Sequence, residues 1–259
     1  MIALALVVGV GVGLVVGTLG AGGGILSVPV LVYLLGQDAH TAAASSLVVV
    51  GATAAVSLPH HARSGSVVWR RGALFALASV VGSVLGARVS ALVPATALMG
   101  MFSAMLAVVG VVMLRKGLRA RRMRPVPSQA SGQGRGPVAV MAAALCTGFL
   151  TGFFGVGGGF VVVPMLVLAL ELDMRRAAGT SLLIMVITSI SGLLARVGTD
   201  IHIDWALTLA FAASSMLGGM LGGPLSTKAK PWVLTVIFGV LLLTVSLVVA
   251  VSTLSGLTS

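Results

Sequence analysis

A glycine-rich break occurs twice in the chain, 135 residues apart, and each copy interrupts a long apolar run. The first copy reads Gly17-Thr18-Leu19-Gly20-Ala21-Gly22-Gly23-Gly24 and is followed by Pro29. The second reads Gly152-Phe153-Phe154-Gly155-Val156-Gly157-Gly158-Gly159 and is followed by Pro164. Nearly half of the positions in residues 17–47 and 152–182 are identical. Further on, with one inserted residue, Trp69, Gly82 and Gly86 match Trp205, Gly218 and Gly222. Self-similarity of this kind is an internal duplication. A glycine interruption at corresponding places in two apolar halves points to a binding site of the kind transporters build.

The class of chain follows from its shortage of charge. It is 58% hydrophobic and 8% charged, with mean hydropathy +1.16, whereas a soluble domain carries about 25% charged residues. So few charges cannot cover a water-facing surface, and the chain reads as an integral membrane protein. Barrel strands would alternate with period 2. Here the apolar runs continue over about 20 residues, as membrane helices require. The formal net charge of +11 collects in short loops and one linker, which fits the positive-inside rule and not nucleic-acid binding. Cys146, the single cysteine, can form no intramolecular disulfide or thiolate metal site and is expected to be a small packing residue in a helix. No nucleotide-binding motif, zinc-spaced histidine pair or acidic cluster appears. No enzymatic activity, metal or cofactor is therefore expected. The opening Met-Ile-Ala-Leu-Ala-Leu has no basic region and reads as a retained membrane segment.

Three regions follow. Residues 1–114 form a first membrane repeat, 115–137 a basic linker and 138–259 a second repeat. Each repeat has a broken segment (2–36 and 138–170) and three ordinary spans (41–59, about 72–92 and about 96–114; about 177–195, 205–223 and 231–254). The linker carries Arg115, Lys116, Arg119, Arg121, Arg122, Arg124 and Arg135 among Pro, Gly and Ser, the composition of an irregular cytoplasmic connection. The fold class is thus all-α, two homologous halves, each a glycine-broken helical hairpin plus three transmembrane helices.

The charges bear on topology. If each broken segment crosses once, the halves are parallel and the 16 Lys and Arg split 11 inside to 5 outside. If each is a hairpin, the halves are inverted and the split becomes 14 to 2, as the positive-inside rule prefers. Residues 2–36 as one helix would run about 52 Å against a hydrocarbon core of about 30 Å. Two short half-helices meeting at a glycine tip fit better, and the inverted repeat is the expected arrangement.

The tips are the candidate site. Glycine permits positive φ and close backbone approach. The helix that follows each tip opens with N–H groups lacking intrahelical partners, at the positive end of its dipole, a combination that binds anions. Gly22, Gly23, Gly24 and Ile25, with Gly157, Gly158, Gly159 and Phe160, are the expected substrate-binding positions, the two tips facing each other near the midplane. The same glycines would equally serve close helix crossing. Ser46 and Ser181, matched by the duplication, are added as hydroxyl donors, although membrane serines commonly bond the carbonyl one turn back. Asp38 and Asp173, also matched, read first as helix N-caps and second as coupling carboxylates. Arg88 and Arg196 are the basic residues the inverted arrangement leaves outside, to draw anions to the mouth or to snorkel. His60 and His61 read as interfacial, and Pro29 and Pro164 as helix kinks.

The repeated Gly-x-Gly-Gly-Gly-x4-Pro, each copy followed by Ala-Ala-x-[Ser/Thr]-Ser-Leu (Gly20 to Leu47 and Gly155 to Leu182), resembles the sulfite exporter TauE/SafE family of bacterial membrane proteins. The resemblance covers nearly the whole chain except the linker. It implies a multi-pass transporter of the bacterial plasma membrane for sulfur-containing anions. The expected function is a secondary transporter, working as an exporter, of a small sulfur-containing anion such as sulfite, sulfoacetate or another organosulfonate, by alternating access around a midplane site. Its partners would be that anion and the lipid bilayer, with a homodimer among the assemblies open to it. An anion channel and a non-transporting assembly partner are the competing classes.

Overall fold

The structure, a computed structural model, describes residues 2–20, 24–122, 137–155, 159–196, 203–228 and 230–258. Every element among them is helical: α1 (Ile2–Leu19), α2 (Gly24–Pro29) running on as a π-helical turn (Val30–Leu34), α3 (Ala39–Arg63), α4 (Trp69–Ser90), α5 (Ala95–Arg122), α6 (Pro137–Phe154), α7 (Gly159–Ala169), α8 (Met174–Ala195), α9 (Trp205–Lys228) and α10 (Pro231–Thr258). Six of them, α3, α4, α5, α8, α9 and α10, are long and apolar enough to cross a membrane. Helices are what such segments must form, because in lipid each backbone N–H and C=O needs a partner within its own segment. The expected spans are all present, and the chain is a multi-pass membrane protein.

Two details differ from expectation. The basic stretch from Arg115 to Arg122 is the last two turns of α5 and not part of an irregular linker. Lys and Arg are good helix formers, and their charge complements the helix C-terminus. The remainder, 123–136, lies outside the described residues. The arms of each broken segment are also unequal. At 18 residues each, α1 and α6 are about 27 Å long, nearly the full hydrocarbon core, and not short half-helices. Nothing breaks α1 before Gly20, where φ reaches +59°, or α6 before Gly155, at +65°. The second arms carry Pro29 and Pro164 inside them, each of which removes a backbone donor one turn into the helix.

Packing exchanges the halves. First-repeat helix α1 lies along second-repeat α9, and second-repeat α6 lies along first-repeat α4. Glycines let the backbones touch. A Cβ on Gly13 would sit 1.9 Å from Ser215 O and one on Gly17 2.2 Å from Gly219 O. At the other crossing, Gly148 would meet Ser79 O at 2.0 Å and Gly152 would meet Ser83 O at 1.9 Å. The glycines of the opposite helices reply: Gly82 would strike Leu145 O at 2.2 Å, and Gly218 would strike Val10 O at 2.1 Å. Leu145 and Val10 are themselves a matched pair, so one crossing is built twice. In hydrocarbon no hydrophobic force separates helix from lipid, and association relies on such close packing and on interhelical hydrogen bonds.

These contacts also give helix directions. Both crossings are parallel. By contrast α3 and α8 run antiparallel, with Leu47 against Gly192 and Gly51 against Ser189. So do α5 and α10: Ser103 donates to Ser246 O at 2.9 Å, Ser246 to Ser103 O at 2.8 Å, and Gly117 lies against Val236. An aromatic group of Phe102, Phe154 and Phe160, with centroids 5.5 and 5.6 Å from Phe102, ties α5 to the second broken segment. Cys146 lies in α6 and is exposed.

Candidate functional site

Each long first arm ends in a left-handed glycine pressed against the other repeat. At Gly20 a Cβ would lie 2.3 Å from Ala178 O, and at Gly155 it would lie 2.4 Å from Ala43 Cβ. Positive φ and the absence of room both select glycine. Serine completes each junction. Ser181 Oγ donates to Gly20 O at 2.6 Å and to Ala178 O at 2.7 Å. Ser46 Oγ donates to Gly155 O and, at 3.0 Å, to Ala43 O. A hydroxyl has one proton, so both matched serines share theirs between two carbonyls, one of the other repeat and one in the turn before it. Both serines are fully buried.

One turn before the tip a second brace appears. His61 Nε2 lies 3.0 Å from Gly17 O. A carbonyl can only accept, so that nitrogen carries the proton, and Ser66 Oγ lies 3.4 Å from Nδ1. Arg196 Nη2 donates to Gly152 O at 3.1 Å. Gly17 and Gly152 are a matched pair, and so are His61 and Arg196. His61 is completely buried, and Arg196 reaches back to the broken segment. Sequence reasoning passed over His61 because its partner carbonyl is 44 residues away; its alignment with Arg196 was the available signal.

The remaining candidates fall as follows. Asp38 accepts from His40 N at 2.9 Å and Asp173 from Arg176 N at 3.0 Å, so both carboxylates cap their helices. Asp173 also pairs with Arg176 at 3.8 Å, with both side chains about half exposed. Arg88 is exposed in the last turn of α4. Gly24 and Gly159 open α2 and α7, with Ile25 and Phe160 buried behind them. Gly22, Gly23, Gly157 and Gly158 lie outside the described residues.

Among the described residues, Gly155 adjoins Ala43 and Ser46, near the start of α3, whereas Gly17 is held by His61, near its end. Gly20 adjoins Ala178 and Ser181, near the start of α8.

The family model for the sulfite exporter TauE/SafE matches residues 5–249. The chain belongs to that family. A probable membrane transporter protein of Xylella fastidiosa (strain 9a5c) is 35% identical over 243 residues, covering 92% of this chain and 90% of that protein. YunE of Bacillus subtilis (strain 168), also described as a probable membrane transporter protein, is 27% identical over 89% of this chain and 92% of its own length. A third, from Methanocaldococcus jannaschii, is 25% identical over 93% and 94%. No solved structure matches. TauE/SafE is a membrane transporter family and not an enzyme family.

Proposed function

We propose that the chain is a secondary transporter, working as an exporter, of a small sulfur-containing anion such as sulfite, sulfoacetate or another organosulfonate, in the plasma membrane of a bacterium. Its halves form an inverted repeat with residues 115–137 in the cytoplasm, and access alternates between the two sides. The observation that carries this reading is the reciprocity of the tips: each repeat's serine holds the turn of the other repeat, through Ser181 and Gly20 and through Ser46 and Gly155. Inversion is supported by α3 against α8 and α5 against α10, which are equivalent helices in contact and antiparallel.

In this reading access alternates around a site near the midplane, between the two tips. Backbone N–H groups at Gly22–Ile25 and at Gly157–Phe160 are the donors, suited to an oxyanion because helix starts supply partial positive charge without a lysine or arginine. Ser46 and Ser181 brace the turns. Rocking one repeat against the other strains one serine brace and relaxes the other, which opens the site to each side in turn. A thermal-shift screen of the purified protein against sulfite, sulfate, thiosulfate, sulfoacetate, taurine and simple carboxylates tests it. A ligand bound only by the folded state raises apparent stability by mass action. Stabilisation by sulfur oxyanions supports the proposal, and stabilisation by carboxylates alone removes the sulfur assignment.

A further inference from the structure

Four positions matched by the duplication come together twice. In the first cluster Gly17 abuts Gly219 of α9, a Cβ on Gly219 would lie 2.6 Å from Ser57 Oγ of α3, and His61, one turn beyond Ser57, holds Gly17 O. In the second, Gly152 abuts Ser83 of α4, a Cβ on Gly192 of α8 would lie 3.6 Å from Ser83 Oγ, and Arg196, one turn beyond Gly192, holds Gly152 O. Residues 17, 57 and 61 correspond to 152, 192 and 196, and residue 219 to 83. Each cluster thus has one carbonyl, one N–H donor, one hydroxyl and one glycine opposite that hydroxyl. The hydroxyl has changed helices: α3 supplies it in the first cluster and α4 in the second.

Ser57 is 1% exposed and Ser83 0%, and neither hydroxyl has a hydrogen-bond partner among the described residues. A serine in a membrane helix ordinarily returns its proton to the carbonyl one turn back, as Ser79 does here toward Phe75 O. A buried hydroxyl without a partner is costly to the fold, and in this chain that cost is met in both copies even though the serine sits on different helices. Space-filling alone would be served by alanine. Arg196 brings a positive charge to one cluster, and His61 brings a neutral or protonated ring to the other.

We propose that Ser57 and Ser83 are the hydroxyls that meet the translocated oxyanion. Ser83 works beside the Arg196 guanidinium and Ser57 beside the His61 imidazole, as two equivalent side-chain subsites next to the two tips. The assignment rests on the transporter reading above and gives it residues outside the glycine motif. The ligand is a small oxyanion with several acceptor oxygens.

The test uses the purified full-length protein, titrated separately with sodium sulfite and sodium thiosulfate against sodium chloride at constant ionic strength, with thermal unfolding as readout. Ser57→Ala and Ser83→Ala are expected to keep or raise the unfolding temperature without ligand, because each removes an unpartnered buried hydroxyl. Each should also weaken apparent affinity about tenfold or more, as loss of a hydrogen bond to a charged group does. The exchanges S57G/G219S and S83G/G192S copy the other cluster's arrangement and should restore affinity to within a few-fold of wild type. If wild type binds either anion and both alanine variants bind it unchanged, the hydroxyls only fill space and the assignment fails. If the alanine variants are less stable without ligand, the hydroxyls hold the fold and it fails equally. If wild type responds to neither anion, the sulfur-anion reading itself falls and takes this assignment with it.

Discussion

Ser181 of the second repeat donates its hydroxyl proton to Gly20 O of the first at 2.6 Å, so the turn of one half is held by a helix of the other. Removing that proton leaves a turn carbonyl short of a partner where no water competes. Ser181→Ala and Ser46→Ala are therefore expected to destabilise the folded protein by about 1–3 kcal/mol each. Unfolding temperatures in detergent check this. The two variants should lose similar amounts, because the two braces are equivalent.

Backbone strain and crowding separate at the left-handed glycines. Gly36 has φ +68° with open space around it, whereas Gly20 and Gly155 combine positive φ with a wall of neighbouring atoms. Gly36→Ala should cost roughly 1–2 kcal/mol, from conformation alone. Gly20→Ala and Gly155→Ala should cost clearly more, since a neighbouring helix must shift as well. Comparing the three unfolding temperatures decides the point.

The paired crossings α1–α9 and α4–α6 depend on glycine. Gly82→Leu and Gly218→Leu insert side chains where a single Cβ would already meet a carbonyl oxygen at 2.2 and 2.1 Å. Both variants should lose the monodisperse peak in detergent size-exclusion chromatography. Gly11→Leu and Gly100→Leu, at positions with nothing within 4 Å, should retain it.

Much of this was legible in the chain because it is local. The six long spans follow from apolar runs, and the caps at Asp38 and Asp173 follow from residue type ahead of a helix. The duplication identified Ser46 with Ser181 before either had a known partner. The length of the first arms was not legible. It depends on how far α1 and α6 run before Gly20 and Gly155 break them, which the apolar run alone does not state. Nor were the roles of His61, Ser57 and Ser83, whose neighbours come from α1, α6, α8 and α9 and are set by packing. The helical end of α5 was hidden because Arg115 to Arg122 look like a solvated tail, although these residues favour helix.

Inversion predicts opposite accessibility for the two capping aspartates. In a Cys146→Ala background, Asp38→Cys should react with a membrane-impermeant maleimide on intact cells. Asp173→Cys should react only after permeabilisation. Reaction of both on intact cells would place the halves parallel.

The most direct measurement of the transporter account is counterflow in proteoliposomes. Purified protein is reconstituted, vesicles are loaded with unlabelled sulfite, and uptake of radiolabelled sulfite is followed, with Gly23→Val and Gly158→Val as folded controls that block the tips. The account predicts saturable uptake that internal sulfite accelerates and that both controls abolish. Uptake that stays linear with concentration and ignores internal sulfite, or that survives both substitutions, would contradict it.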